Sequence, residues 1–187
     1  MQAENRKHKS TIPDDVTTVK SSAFANLGNL RVVVVPESVK TIEANAFTGN
    51  PNLIMDARAF ESMPYTWNSS FYGDNDENCV VYSGGDWDDD YIYAKDDVLV
   101  KFRNADLQFV TVPKRAKKLG KGSYLAETSI FTDNQQVVNV SFEDGSRCES
   151  VSAYAFSGAK NLHAVGFPES LKDIGSGAFS GCNNLKL

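Results

Sequence analysis

A unit of 23 residues recurs along this chain, and no other feature limits the possible folds as strongly. Thr11-Ile12-Pro13 aligns with Val34-Val35-Pro36. Val16 then matches Val39, Val19 matches Ile42, Ala23-Phe24 matches Ala46-Phe47, and Asn29-Leu30 matches Asn52-Leu53. Near the other end, Phe167-Pro168, Leu171, Ile174, Ala178-Phe179 and Asn184-Leu185 hold the same places. Val151, Ala155-Phe156 and Asn161-Leu162 precede them by one unit, and another copy begins at Val112-Pro113 with Leu119 and Ser123-Tyr124 in register. Self-similarity at such a period marks a stacked architecture. One rung cannot bury its apolar edge alone, and stacked rungs share one continuous core.

Each unit has a physical reading. Leu30, Val33 and Val35 are expected to face inward from a strand, with Val32 and Val34 outward. Pro36 ends the strand because it has no N–H for the next ladder bond. Val39 and Ile42 return to the core, Ala46 is small where backbone passes close, and Phe47 fills the rung. Thr48 to Asn52 is a turn by composition. Phe24, Phe47, Phe156 and Phe179 are expected to stack as a column, joined by Tyr124. Two places depart from the period. Glu143 stands where proline is expected, with two extra residues before Phe156, and the turn between Tyr124 and Val137 is expanded. Both read as loop insertions at a rung corner.

The motifs from Val35-Pro36 to Ala46-Phe47 and from Phe167-Pro168 to Asn184-Leu185 resemble the BspA-like leucine-rich repeat. The resemblance covers roughly residues 11–56 and 107–187. It implies a mainly β repeat solenoid, a right-handed superhelix of parallel strands and short turns. Members of that family are secreted or surface-exposed proteins of bacteria and some protists, many linked to adhesion, host-matrix binding or co-aggregation. The family carries no catalytic motif, so the resemblance implies no enzyme and no cofactor.

The domain reading is a polar tail, 1–10, then one solenoid over 11–187, with N-terminal repeats at 11–59 and C-terminal repeats at 98–187. Between them, residues 60–97 read as an irregular island. Cys79 to Tyr82 and Tyr91 to Tyr93 look like two strands joined by the turn Ser83-Gly84-Gly85-Asp86, a β-hairpin-like insertion. Val98 to Phe102 reads as a strand rejoining the solenoid. Loops on a rigid scaffold often carry recognition, and the island is rich in aromatic types enriched at interfaces. Its candidate binding residues are Trp67, Phe71, Tyr72, Trp87, Tyr91 and Tyr93. Phe109 is added from the outward strand positions, which also include Thr111, Asn139, Ser141, Ala164 and Gly166. Arg31, Gln108 and His163 are expected at the rim.

Other chemistries are weaker. Asp74, Asp76 and Asp88 are the calcium candidates, since oxygen-rich loops suit that ion. Asp74-x-Asp76-x-Asn78 imitates the start of an EF-hand loop, but Cys79 occupies the position that needs glycine. A solvated acidic loop is the default reading of these residues. The three cysteines cannot all pair internally. Cys148 falls at a core position, which removes it as a partner for His163 in nucleophilic catalysis. A net charge of −5 argues against nucleic acid, which needs a positive field. The basic start from Arg6 to Lys9 reads as a solvated tail. No apolar run approaches the ~20 residues of a membrane span. No signal peptide is visible, and the pattern stops at Leu187 in mid-repeat, as in a piece of a longer array.

The expected function is therefore a surface or secreted adhesion module that recognises a protein or glycan ligand, host matrix included, through the solenoid face and the island. A stalk that spaces a neighbouring domain is the alternative. An open terminal rung would favour weak end-to-end self-association.

Overall fold

The proline at each rung corner sets the local geometry. With φ fixed and no N–H to donate, it ends a strand, and its free carbonyl accepts the amide three residues on. Val16 donates to Pro13, Val39 to Pro36, Trp67 to Pro64, Ala116 to Pro113 and Leu171 to Pro168, at 3.0–3.1 Å. Ser146 makes the same 3.0 Å bond to Glu143, so the glutamate takes the proline's place in the turn. A second constraint lies just before the phenylalanine. Ser22, Asn45, Tyr154 and Gly177 all have φ near +60°. At Gly177 a Cβ would come 2.6 Å from the Tyr154 ring of the preceding rung, so the close approach, added to a φ that glycine adopts most readily, favours glycine there.

The computed structural model describes residues 9–104, 106–121, 129–131 and 134–186, and the chain divides into two compact units, Met1–Gly84 and Gly85–Leu187. Each is a mainly β stack of parallel rungs.

The first unit contains β1 (Lys9–Thr11), β2 (Thr18–Val19), β3 (Val32–Val34), β4 (Thr41–Ile42), β5 (Ile54–Ala57) and β6 (Val80–Tyr82). β1, β3, β5 and β6 form one parallel sheet in that order, and β2 pairs with β4. Both pairings join residues one repeat apart, such as Thr18 with Thr41. Val33, Val35, Val39, Ile42, Ala46 and Phe47 are fully buried in the core. Phe24 stacks on Phe47 at 5.1 Å, and Phe71 meets Phe47 edge-on at 6.3 Å.

The second unit contains β7 (Asp86–Trp87), β8 (Tyr91–Ala94), β9 (Val98–Phe102), β10 (Phe109–Val112), β11 (Lys118–Leu119), β12 (Asn139–Phe142), β13 (Ser150–Val151), β14 (Ala164–Val165) and β15 (Asp173–Ile174). β10, β12 and β14 form a three-stranded parallel sheet. A six-stranded sheet runs β15-β13-β11-β9-β8-β7, with β7 and β8 antiparallel and the rest parallel up to β9. A chain of rings, Tyr91, Phe102, Phe131, Phe156 and Phe179, runs through its core at centroid spacings of 4.8–5.7 Å.

Several expectations need correction. Residues 60–97 are not one inserted island. Pro64 and Trp67 rebuild a rung corner, and β6 adds to the first unit's sheet in parallel. The strand over 80–82 therefore does not pair with the one over 91–94. A hairpin does form, between β7 and β8. Val98–Phe102 rejoins the repeat as expected, pairing in parallel with β11. The tail is shorter than 1–10, because Lys9 and Ser10 belong to β1. Val32 is buried rather than outward-exposed, as are its register neighbour Ile54 and Val81. That face of the first unit's sheet is not a free surface. Tyr124 lies outside the described residues. Phe131 fills the ring position instead, six residues before Val137, as Phe156 stands six before Leu162, so the expansion precedes the ring.

Candidate functional site

In β10 and β12 every second side chain leaves the core, so these strands present an open sheet face. Val110, Val112 and Val140 are buried, while Phe109, Thr111, Asn139 and Ser141 are exposed. Register brings Phe109, Asn139 and Ala164 into one row across the three strands. Thr111 and Ser141 form the next row, their hydroxyls 3.1 Å apart. Gly166 extends that row, donating its N–H to Val140 at 2.9 Å. Phe109 is 70% exposed, and Leu107 beside it is 42% exposed. His163 directly precedes β14; its Nδ1 donates to the Asn161 carbonyl at 2.7 Å, which leaves Nε2 toward solvent. The face is thus a floor of small polar groups with one large ring standing on it.

A cavity of about 390 Å³ opens at the carboxyl ends of β12 and β14. Two successive rung corners, 142–146 and 166–170, flank it, and it is open to solvent. Gly166 belongs to both the cavity and the Thr111–Ser141 row, so face and cavity are continuous. Sequence reading noted the irregular corner at Glu143 but assigned it no role. The signal was there: a carboxylate in place of proline, and two inserted residues.

The island aromatics divide sharply. Trp67, Phe71 and Tyr93 are only 3%, 1% and 1% exposed, and belong to the cores. Trp67 packs on Phe60 at 4.9 Å and on Phe71 at 5.3 Å. Their burial corrects the expectation of a surface role: apolar rings fill rungs whose regular residues are missing. Tyr72, Trp87 and Tyr91 are half-buried. Tyr72 meets Phe71 edge-on, and the Tyr91 hydroxyl donates to the Thr111 carbonyl at 2.6 Å. Arg115 lies 4.3 Å over the Tyr93 ring and bonds Asp97 at 2.9 Å. Burial pushes the Tyr93 phenol up to about 12, and raises Tyr72, Tyr82 and Tyr91 as well. Arg31, half-buried, immediately precedes β3 in the first unit. Of the nine binding candidates, Phe109 stands on the open sheet, the Tyr91 hydroxyl reaches the sheet's backbone at Thr111, and His163 is exposed at the start of β14.

The calcium candidates are turned to local backbone. Asp74 accepts from the Thr48 hydroxyl at 2.9 Å and the Gly49 amide at 2.7 Å, which hold its carboxyl below the ordinary range. Asp76 accepts the Asn78 amide at 2.7 Å, capping a short 3-10 turn, Glu77–Cys79. Asp88 accepts the amides of Asp90 and Tyr91. Among the described residues, no three acidic, histidine or cysteine side chains converge as a metal site would require. Cys148 is fully buried, its thiol pushed up by burial, and it bonds the Ser150 carbonyl rather than His163.

The sequence model described as BspA type Leucine rich repeat region matches residues 4–83 and 126–187, in six copies. A search of the curated proteins gives no match. Among solved structures, the chain is similar to the pneumococcal vaccine antigen PcpA, at 14% identity and a TM-score of 0.45, covering 100% of this chain and 72% of that one. It is also similar to a leucine-rich cell surface protein from Faecalibacterium prausnitzii A2-165, at 20% identity and a TM-score of 0.41, covering 95% and 58%. A leucine-rich repeat protein from Bacteroides ovatus ATCC 8483 gives 20% identity and a TM-score of 0.36, covering 95% and 47%. The chain thus spans about half the length of the last two proteins. Among the described residues, no helix is long and apolar enough to cross a membrane.

Proposed function

Since the chain belongs to the BspA-type leucine-rich-repeat family, we propose that it is a non-enzymatic recognition module, displayed on a cell surface or secreted, that contacts a protein ligand through the β10–β12–β14 face. The observation that carries this reading is Phe109. Its ring is 70% exposed on the sheet, and aromatic side chains that become buried as anchors dominate the energy of protein contacts. The neighbours of Phe109 in its row, Asn139 and Ala164, are small, which leaves the ring accessible from above. A broad ladder of this kind suits an extended contact better than a small enclosed ligand.

The test is binding of the purified chain to matrix proteins, glycans and host cells, beside Phe109→Ser. Excising 61–96 would not serve, because it removes β6, Trp67 and Phe71 from the first core. Phe109→Ser should weaken a protein ligand about tenfold or more, as truncation of an interface anchor does, while the far-ultraviolet circular dichroism stays unchanged. Equal binding by the variant would refute the face as the site. Selective glycan binding would replace a protein ligand with a sugar. No binding by the folded chain would favour the stalk.

A further inference from the structure

We propose that the cavity at the carboxyl ends of β12 and β14 is an anchor for a guanidinium group, the side chain of an arginine in an extended segment of a partner protein. This names the partner chemistry of the recognition reading above and rests on it.

The walls supply the argument. Glu143, Asp144 and Glu169 line the cavity, with Phe142, Phe167 and Pro168 as its apolar surfaces, and among the described residues no basic side chain lines it. At about 390 Å³ it falls within the range of ligand pockets, roughly 300–1,000 Å³. A guanidinium has two weakly hydrated faces, which stack on aromatic rings, and an edge of N–H donors that pairs with carboxylates. An ammonium has the charge but no flat face. Carboxylates on two successive corners, with aromatic and proline surface between them, match the planar cation.

The cavity is also held in shape. The Ser170 hydroxyl donates to the Ser146 and Cys148 carbonyls at 3.1 and 2.8 Å, tying one corner to the next. Glu143 accepts the Lys114 amide at 2.8 Å through one oxygen, which orients the carboxylate and leaves the other oxygen to a ligand. Phe167 meets Phe179 edge-on at 6.0 Å. Asp144 and Glu169 are exposed at the rim. The site coincides with the irregular corner. Glu143 to Phe156 spans two residues more than Pro36 to Phe47 or Pro168 to Phe179. Because Gly166 joins the cavity to the Thr111–Ser141 row, a segment lying across the sheet from Phe109 leads its side chain to this opening.

The experiment is an amide-resolved NMR titration of the whole chain with N-acetyl-glycyl-arginyl-glycinamide. The comparison probes are the lysine and citrulline versions of that peptide, and glucosamine. Saturable shifts at residues 143–146 and 166–170 are expected with arginine, several-fold weaker with lysine, and none with uncharged citrulline. Asp144→Asn and Glu169→Gln, both at exposed positions, should each weaken the arginine probe about two- to fivefold, with circular dichroism unchanged. No shift at these amides, equal shifts with citrulline, or unchanged affinity in the double variant would overturn the proposal. So would glucosamine shifting these amides where arginine does not. Arginine binding that survives Phe109→Ser supports the anchor even if the sheet contact fails. A ligand lost with Phe109→Ser, in a chain that ignores arginine, refutes the anchor alone.

Discussion

At the scale of single residues, the turn after the ring is held in several rungs by a side chain that mimics backbone. Asn50 is buried, and its amide donates to the Phe24 and Phe47 carbonyls, both at 2.7 Å, while its oxygen accepts the Leu27 amide at 3.0 Å. Asn75 makes the same pair of bonds one rung on, to Phe47 and Tyr72, and Asn134 bonds the Asn104 and Leu107 carbonyls in the second unit. In the last rung the Cys182 thiol takes this place, donating to the Phe156 carbonyl at 3.1 Å. Removing the amide takes a partner from the Phe24 carbonyl and the Leu27 amide, both part-buried, while the Phe47 carbonyl keeps Asn75; a thiol is a weak donor and its loss costs less. Asn50→Ala should therefore cost about 2–4 kcal/mol, and Cys182→Ala less than about 1 kcal/mol, read from urea midpoints at constant slope. Equal losses would mean that the asparagine only fills space. Sequence reading saw Asn50 as a turn former by composition, and no pattern distinguished it from the exposed Asn52.

At the scale of elements, alternation along β10 makes a sharp test. Val110→Ala opens the core and should cost about 2 kcal/mol, whereas Thr111→Ala, one residue on, should stay within about 0.5 kcal/mol. A strand slipped by one residue would reverse that order in thermal or urea unfolding. This alternation was legible because the 23-residue period fixed the register. The third rung was not legible, because its spacing is compressed. Asn68 donates to the Ile42 carbonyl as Glu43 does to Val19, so Asn68 and Glu43 are equivalent positions. From Val39 to Glu43 is four residues, and from Trp67 to Asn68 only one. A single indole thus takes the space of Val39 and Ile42, and an aromatic that reads as a surface anchor becomes core. The open face was legible in Phe109 and its polar neighbours. The cavity was not, since its walls come from two corners that only the stacking brings together.

At the scale of the whole molecule, pH acts on both units through groups whose ionisation the fold opposes. Tyr82 in the first unit, and Tyr91 and Tyr93 in the second, have phenols raised by burial above their ordinary value near 10, Tyr93 to about 12. A raised acid pKa means that the folded chain holds its proton longer than the unfolded chain. Stability is therefore full below pH ~10 and falls as pH rises through the folded values. On the acid side Asp97 has the opposite sign. Hydrogen bonds from Arg115 and Lys117 hold its carboxyl low, so its contribution is present above the ordinary carboxylate range and fades as pH falls. The expected profile is a plateau from weakly acidic pH to about pH 10, then a steep alkaline loss in which tyrosinate absorbance near 295 nm and loss of circular dichroism rise together. Tyr91→Phe separates the causes. It forfeits the 2.6 Å bond to the Thr111 carbonyl and should cost about 1 kcal/mol at pH 7. It also removes one proton-linked group, so its stability should decline less steeply above pH 10 and its deficit against the native chain should shrink. A deficit that stays constant from pH 7 to 11 would show that Tyr91 ionises as freely in the folded chain as in the unfolded one, and that its burial does not set the alkaline limit.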